Sequence, residues 1–148
     1  MSGAKQFFNQ QQQQEILAAI QKAESLTSGE IRLHLEDHCK GDPFQRGLAL
    51  FAKLKMHTTA EKNGVLFYLA VVDHKFAIIA DEGIHQKVPE GFWDAIKDGM
   101  REQFMQAEFL KGLIDGITAA GQQLGAHFPR QSNDKNELSD EISFGNEN

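Results

Sequence analysis

The 148-residue chain lacks the features that mark disulfide-rich, nucleic-acid-binding and membrane-spanning proteins. Its one cysteine, Cys39, excludes an intramolecular disulfide and a zinc cluster built from thiolates. The formal net charge of −6 provides no basic surface, so we expect no nucleic-acid partner. No apolar run approaches the ~20 residues of a membrane span, and the first residues lack the apolar core of a signal peptide. These absences predict a soluble, cytoplasmic protein without direct membrane insertion.

The largest block of apolar, β-favouring residues predicts a buried hairpin. Residues 65–72 form an unbroken apolar run, and residues 76–80 form a second run after a break of three polar residues. Because three residues are too few for a crossover helix, the two strands should be antiparallel neighbours. Neither run alternates between apolar and polar residues, which indicates that helices cover both faces.

The remaining pattern indicates helices around a small mixed sheet. Residues 30–36 alternate between apolar and polar side chains, which predicts a peripheral strand with one covered face. Helical spacing predicts helices over about residues 10–26, 43–54, 89–104 and 108–128. The first strand, the second helix and the next strand then form a βαβ unit, whose two strands should be parallel. The chain is therefore of the α/β class.

Two other features concern the C-terminal part of the chain. The last predicted helix contains four glycines, each costing up to ~1 kcal/mol relative to alanine, so we expect this helix to approach the sheet closely. Residues 130–148 carry five acids against two bases and few apolar residues, which predicts a disordered acidic tail. We expect one domain, residues 8–129, followed by that tail.

Acidic residues are predicted to meet at one edge of the sheet. Asp81 and Glu82 directly follow the second strand of the hairpin. If the first two strands are parallel and the third is antiparallel, these acids should lie near Glu30 and the Asn63-Gly64 turn. Carboxylate and carbonyl oxygens suit a hard cation such as Ca²⁺ or Mg²⁺. The sequence therefore predicts a divalent-cation site with these five residues as ligands.

The last predicted helix offers two further ligands. Glu108 and Asp115 fall on one stripe of this helix, with Gly112 between them. The alternative is structural: Glu108 favours the helix start through the dipole, and Asp115 is a solvated surface residue. The six histidines are scattered, and motifs of serine hydrolases, phosphate-binding loops and dinucleotide sites are absent.

Five short segments, in this order and at these spacings, resemble the TPM domain. They are TSGEI at 27–31, NGVL at 63–66, DHKFAII at 73–79, DEGI at 81–84, and the segment from Phe104 that contains GLIDGI at 112–117. The resemblance spans residues 8–129. It implies a three-layer α/β/α sandwich with a small mixed sheet and about four helices. It also implies a divalent-cation site, typically calcium, in an acidic groove at one edge of the sheet.

Two functions are compatible with this resemblance. Some TPM proteins are credited with acid phosphatase activity; in such an enzyme the cation would polarise a phosphoryl oxygen, and Asp81 would act as nucleophile or base. Others resemble non-enzymatic partners of membrane receptors or repair complexes. In that alternative the ion stabilises the edge of the sheet where a protein partner docks.

Overall fold

The computed structural model describes residues 3–130 and 142–145. Six α-helices lie in this part of the chain: α1 (Ala4–Phe7), α2 (Gln10–Glu24), α3 (Pro43–Lys53), α4 (Glu82–Lys87), α5 (Asp94–Met105) and α6 (Phe109–His127). The strands are β1 (Glu30–Glu36), β2 (Gly64–Ala70), β3 (Lys75–Ala80) and β4 (Ser143–Phe144). A short 3-10 turn spans Met56–Thr58.

The strands form one mixed sheet in the order β3-β2-β1-β4. β2 pairs with β1 in parallel and with β3 antiparallel, which confirms both the predicted βαβ unit and the predicted hairpin. β4 pairs with β1 in parallel. Every residue of β2 is buried, as its unbroken apolar sequence predicts.

Helices cover the sheet on two sides. Apolar side chains of α2, α5 and α6 join Ile31, Leu33 and Leu35 of β1 in the larger apolar core. Side chains of α3 and of the 3-10 turn join Leu66 and Ile79 in a smaller core on the other face. Alternate residues of the strands point to opposite faces, so β1 and β2 contribute to both layers. The result is the three-layer α/β/α sandwich that the resemblance implies.

The start of α2 follows directly from its sequence. The Asn9 side chain accepts a hydrogen bond from the Gln12 backbone N–H at 2.7 Å, and the Gln12 side chain accepts one from the Asn9 N–H at 2.9 Å. This reciprocal capping box satisfies two backbone donors that a helix start otherwise leaves unpaired. None of the described helices is both long enough and apolar enough to cross a membrane.

β1 is not the peripheral strand that its alternation predicts. It lies between β2 and β4, and six of its seven residues are buried, including Glu30, His34 and Glu36. Alternating polar residues indicate a solvent-exposed face of the sheet only where their side chains are accessible to solvent. Here Glu36 is ion-paired with Arg46 and packed beside Tyr68, so a charged side chain is buried in the sheet.

The C-terminal part of the chain also differs from expectation. Ser143–Phe144 forms a strand, so the prediction of a disordered tail fails at these residues; the tail residues 131–141 and 146–148 lie outside the described residues. Two short helices, α1 and α4, lie outside the four helices that the helical spacing predicts. Both are only four to six residues long, which is too short for a clear apolar period.

The glycines of α6 allow close contact with other helices rather than with the sheet. A Cβ at Gly121 would lie 2.5 Å from the Cβ of Ala23 in α2. A Cβ at Gly116 would lie 2.6 Å from the sulfur of Met100 in α5. The close packing that we expect to offset the cost of these glycines is therefore present. It is formed with α2 and α5, the two neighbouring helices of the same layer, and not with the sheet.

Candidate metal centre

The starts of β1 and β2 and the end of β3 meet at one edge of the sheet. Glu30 is paired with Gly64 across the parallel strands, and the Asp81 N–H donates to the Gly64 carbonyl at 3.0 Å. The structure therefore brings Glu30, the Asn63-Gly64 turn and Asp81 to the same edge, in the arrangement that the topology argument predicts. Neighbouring strands are about 4.8 Å apart, so Glu30 and Asp81 are separated by about 10 Å between Cα atoms.

Asp81 is positioned by the start of α4. It is the N-cap residue of this helix, and its Oδ1 accepts a hydrogen bond from the Glu82 N–H at 2.8 Å. Its second oxygen, Oδ2, is buried and has no hydrogen-bond partner within the described residues. Glu82 is exposed in the first turn of α4. One carboxylate oxygen at this edge is therefore committed to the helix start, and the other lacks a donor.

Asn63 immediately precedes β2 and is only 1% exposed, and its neighbour Gly64 accepts the hydrogen bond from the Asp81 N–H. Its side-chain Nδ2 donates to Ser28 Oγ at 3.1 Å, and its backbone N–H donates to Thr59 Oγ1 at 3.2 Å. Its side-chain Oδ1 is buried and receives no hydrogen bond from the part of the chain described here. Leaving a buried acceptor unpaired costs about 1–3 kcal/mol, so this oxygen requires a physical explanation.

Gly83 brings backbone oxygens close to the acidic pair. A Cβ at this position would overlap the carbonyl oxygens of Glu61 and Lys62, so only glycine fits here. Lys62 adopts a left-handed backbone conformation, with φ of 53°. The first turn of α4 consequently packs directly against the 61–62 carbonyls. Those oxygens are the neutral donors that calcium sites combine with carboxylates.

The structure does not bring Glu108 and Asp115 to this edge. Glu108 precedes Phe109, whose ring contacts the ring of His74 in the β2–β3 turn at the opposite end of the sheet. Asp115 is exposed and forms an ion pair with Lys111 at 2.8 Å. Both residues occupy the surface positions that the structural alternative predicts for them.

The residues at the sheet edge fit a hard cation only if carboxylate oxygens are combined with other kinds of oxygen ligand. Within residues 3–130 and 142–145, no group of three or more His, Cys, Asp or Glu side chains is close enough together to hold a metal. A cation bound here would therefore also use amide, carbonyl and water oxygens, as calcium commonly does. The unpartnered oxygens of Asp81 and Asn63 are the observation that supports such a fit.

A second polar cluster, which no motif in the sequence indicates, lies on the α3 side of β1. Arg46 donates to both carboxylate oxygens of Glu36 at 2.8 Å, and the Tyr68 hydroxyl donates to the same carboxylate. His34 Nε2 lies 3.5 Å from Glu36 Oε1. The only sequence signal was the alternation of His34 and Glu36 along β1.

The pKa values in this cluster reflect burial and hydrogen bonding. Burial raises the pKa of Glu36, but the hydrogen bonds from Arg46 and Tyr68 outweigh burial and hold it below its ordinary range. Burial and the hydrogen bond to Glu36 raise the pKa of Tyr68. Burial lowers the pKa of His34, although the nearby Glu36 opposes that shift. The cluster therefore contains an ionised Glu36 and favours a neutral His34.

Known proteins resemble this chain in both sequence and fold. The TPM domain model matches residues 2–123. The solution structure of the BA42 protein from the psychrophilic bacterium Bizionia argentinensis is 43% identical, with a TM-score of 0.90 over 98% of this chain and 100% of that one. The N-terminal domain of the cg2496 protein from Corynebacterium glutamicum shares the fold at 13% identity, with a TM-score of 0.62 over 85% of this chain and 78% of its own. No curated protein matches the chain. The family match covers most of the sequence, and the chain belongs to the TPM domain family.

Proposed function

We propose that this TPM domain binds a divalent cation, Ca²⁺ or Mg²⁺, at the edge where β1 and β2 begin and β3 ends. The observation that carries the proposal is the pair of buried, unpartnered oxygens, Asp81 Oδ2 and Asn63 Oδ1, at neighbouring strand ends. A cation is attracted to both oxygens and would offset the cost of burying them without donors.

Asp81 and Asn63 would supply the side-chain ligands. Glu82 in the first turn of α4 and the carbonyl oxygens of residues 61 and 62 are the nearby donors that would complete the shell. Glu30 is 2% exposed and lies at the same edge. Mixed amide, carbonyl and carboxylate donors favour Ca²⁺ over Mg²⁺, which prefers a stricter octahedral shell with several waters.

The geometry favours a binding module over a phosphatase. A nucleophile or general base must reach the reacting atom of a substrate. One oxygen of Asp81 caps α4 and the other is buried, so neither is presented to a phosphomonoester in this conformation. We infer that the ion stabilises the loop 61–63 against α4 and so shapes a surface for a protein partner. Acid phosphatase activity is the second candidate function, and it is supported by the family resemblance alone.

Calcium and magnesium titrations of Asp81→Asn test the proposal. Asparagine caps helices about as well as aspartate, so this variant retains the start of α4 while losing the charge. Asp42→Asn is the matched control, because Asp42 caps α3 through the same kind of contact, at 3.0 Å from the Gln45 N–H. We expect wild type and Asp42→Asn to bind Ca²⁺ equally, and Asp81→Asn to bind it at least about tenfold more weakly, a loss of about 1.4 kcal/mol.

Amide NMR shifts and thermal unfolding are the two readouts. Calcium should shift the signals of Asn63 and residues 81–83, and at about 100 times its Kd should add about 2.7 kcal/mol to the free energy of unfolding. Equal calcium affinity in wild type and Asp81→Asn would contradict the site. A metal-dependent phosphomonoesterase activity that copurifies with the wild-type protein and disappears in Asp81→Asn would show that the domain is an enzyme.

A further inference from the structure

We propose that the cleft between the end of α4 and the start of α5 binds a ligand of dipeptide size that carries both an ammonium and a carboxylate group. This α4–α5 cleft has a volume of about 400 Å³ and is lined by His85, residues 88–94 and Lys97. Small-molecule sites in proteins have volumes of roughly 300–1,000 Å³, so the cleft has room for such a ligand. It lies at the C-terminal end of α4, whereas Asp81 precedes the first residue of that helix, and the proposal does not depend on metal binding.

The backbone around the α4–α5 cleft is held by hydrogen bonds. The Val88 N–H donates to the Ile84 carbonyl at 3.0 Å, which ties the beginning of the segment to α4. Residues 89–92 then form a turn, in which the Phe92 N–H donates to the Pro89 carbonyl at 3.1 Å. Gly91 has a φ of 82°, as the third residue of a type II turn requires. The cleft is therefore formed by defined backbone structure before any ligand binds.

Two aromatic rings supply the apolar part of the cleft. The rings of Phe92 and Trp93 are in edge-to-face contact, with centroids 5.0 Å apart, and both side chains pack against the larger apolar core. Each residue is only partly buried, and so is Val88 beside them. Apolar surface is therefore left uncovered in the cleft, and an apolar side chain of a ligand would be stabilised by covering it.

The indole N–H of Trp93 is a donor that lacks an acceptor. Trp93 Nε1 is buried and has no hydrogen-bond partner within the described residues. Leaving a buried donor unpaired costs about 1–3 kcal/mol, and a carbonyl or carboxylate oxygen of a ligand would supply the missing acceptor. Because the N–H is covered in this conformation, an oxygen reaches it only when the 89–92 turn moves. Binding should therefore shift the amide signals of that turn.

Charged side chains of both signs line the α4–α5 cleft. Glu90 and Asp94 are exposed acids, and Lys97 is the nearby cation. Within residues 3–130 and 142–145, none of these three side chains forms an ion pair or a hydrogen bond. A simple anion would be repelled by the two acids, and a simple cation would be repelled by Lys97. A ligand with one charge of each sign is attracted to both, its ammonium group to the acids and its carboxylate to Lys97.

Intrinsic fluorescence measures binding at this cleft directly, because Trp93 is the only tryptophan of the chain. Three probes are titrated into the full chain: the dipeptide leucylglycine with free ends, its N-acetylated form and its C-terminal amide. EDTA is present, so that no cation at Asp81 contributes. We expect leucylglycine to change the emission with a Kd of about 1 mM or lower. Each analogue lacks one of the two charges and should bind about tenfold more weakly.

Two charge variants test which side chain holds which end of the dipeptide. Lys97→Gln should weaken the binding of leucylglycine about tenfold and leave the affinity for the amide unchanged, because the amide has no carboxylate. Glu90→Gln should weaken the binding of leucylglycine about threefold, since Asp94 remains, and should spare the N-acetylated form. Glu102→Gln is the matched control, because Glu102 is an exposed acid of α5 outside the cleft, and it should change none of these affinities.

The variant Trp93→Phe tests the indole donor. It keeps an aromatic ring but removes the N–H, so binding is followed by the amide NMR shifts of residues 88–97. We expect it to weaken the binding of leucylglycine about threefold to tenfold, the effect of losing one hydrogen bond. In the wild-type chain the same titration should shift the signals of the 89–92 turn.

Three outcomes would overturn the proposal. Leucylglycine at about 10 mM, ten times the weakest Kd expected, that changes neither the Trp93 emission nor the amide signals of residues 88–97 would show that the cleft does not bind it. Equal affinity for the three probes would show that the two charges of the ligand play no part. An equal loss of affinity for leucylglycine and its amide in Lys97→Gln would show that Lys97 does not hold the carboxylate.

Discussion

Replacing Arg46 with methionine is predicted to destabilise the protein in a pH-dependent way. Arg46 donates two hydrogen bonds of 2.8 Å to Glu36, a carboxylate on a residue that is completely buried. Methionine keeps much of the aliphatic volume but removes the charge. Glu36 then retains the Tyr68 hydroxyl as a donor and loses its only bidentate partner in the described structure.

The size of the effect follows from burial. Removing one partner of a buried ion pair costs about 3–5 kcal/mol. The Arg46 side chain is 38% exposed, so water can enter its vacated position and solvate Glu36 in part. We therefore expect a loss of about 2–3 kcal/mol in the free energy of unfolding at pH 7, below the range for a fully enclosed pair.

The effect should shrink on acidification. In wild type the pKa of Glu36 is lowered, so the ionised carboxylate stabilises the fold above the pKa of unfolded Glu, and this contribution is lost as the pH falls through the lower folded value. In Arg46→Met, burial that raises the pKa of Glu36 is opposed only by the Tyr68 hydrogen bond and by the smaller interaction with His34, because both contributions of Arg46 are gone. The variant therefore protonates Glu36 at higher pH, and the difference in stability between the two proteins decreases from pH 7 to about pH 4.

Urea denaturation at several pH values measures both effects. Arg101→Met is the control, because Arg101 pairs with Asp98 at 3.1 Å with both side chains more than half exposed. Such surface pairs contribute less than about 1 kcal/mol, and we expect this control to change stability by less than about 0.5 kcal/mol at any pH. A loss below about 1 kcal/mol in Arg46→Met at pH 7, or a loss independent of pH, would refute the reasoning.

Three further predictions concern packing and titration. Gly83→Ala should cost about 2–4 kcal/mol and weaken calcium binding, because the new Cβ overlaps the Glu61 carbonyl; urea denaturation and a calcium titration measure the two effects. Gly121→Ala should cost about 1–3 kcal/mol by forcing α6 away from Ala23, as measured by thermal unfolding. The pKa of His34, followed by NMR of its ring, should lie below its ordinary value, and stability should fall as the pH drops from about 6.5 towards that lower pKa, since only the unfolded chain accepts the proton there.

Each of these predictions has a control variant or a result that would contradict it. Gly99→Ala, at a helix position with open space, should be neutral or stabilising by up to about 1 kcal/mol. A Gly83→Ala protein as stable as this control would show that α4 does not press against the 61–62 carbonyls. Wild-type stability in Gly121→Ala would indicate that α2 and α6 separate freely. A His34 pKa at or above its ordinary value would mean that Glu36 outweighs burial.

The sheet and its main helices were predictable because their signals are local. Residues 65–72 and 76–80 are continuous apolar runs separated by three residues, and chain length alone makes them antiparallel neighbours. The Asn9 and Gln12 capping box is read from two residues three positions apart. The meeting of Glu30 and Asp81 at one edge follows from strand directions, which the βαβ rule supplies.

Other features depended on contacts between distant parts of the chain. Glu36 and Arg46 are ten residues apart, and nothing in the sequence around either residue indicates that they form an ion pair. The pairing of Ser143 with His34 joins residues more than one hundred positions apart, in a segment whose polar, acidic composition predicts disorder. Glu108 shares a helix stripe with Asp115, but only the packing of Phe109 against His74 decides which end of the sheet it reaches.

By itself the sequence determined the α/β class, the hairpin, the directions of the first three strands and the membership in the TPM domain family. These follow from the spacing of apolar residues and from short motifs, which act over a few neighbouring positions. Only the tertiary structure decided which polar atoms are buried without partners at Asp81 and Asn63, and what covers the outer edge of β1. Burial and pairing are properties of the packed chain, because a side chain loses its water only when residues remote in sequence close over it.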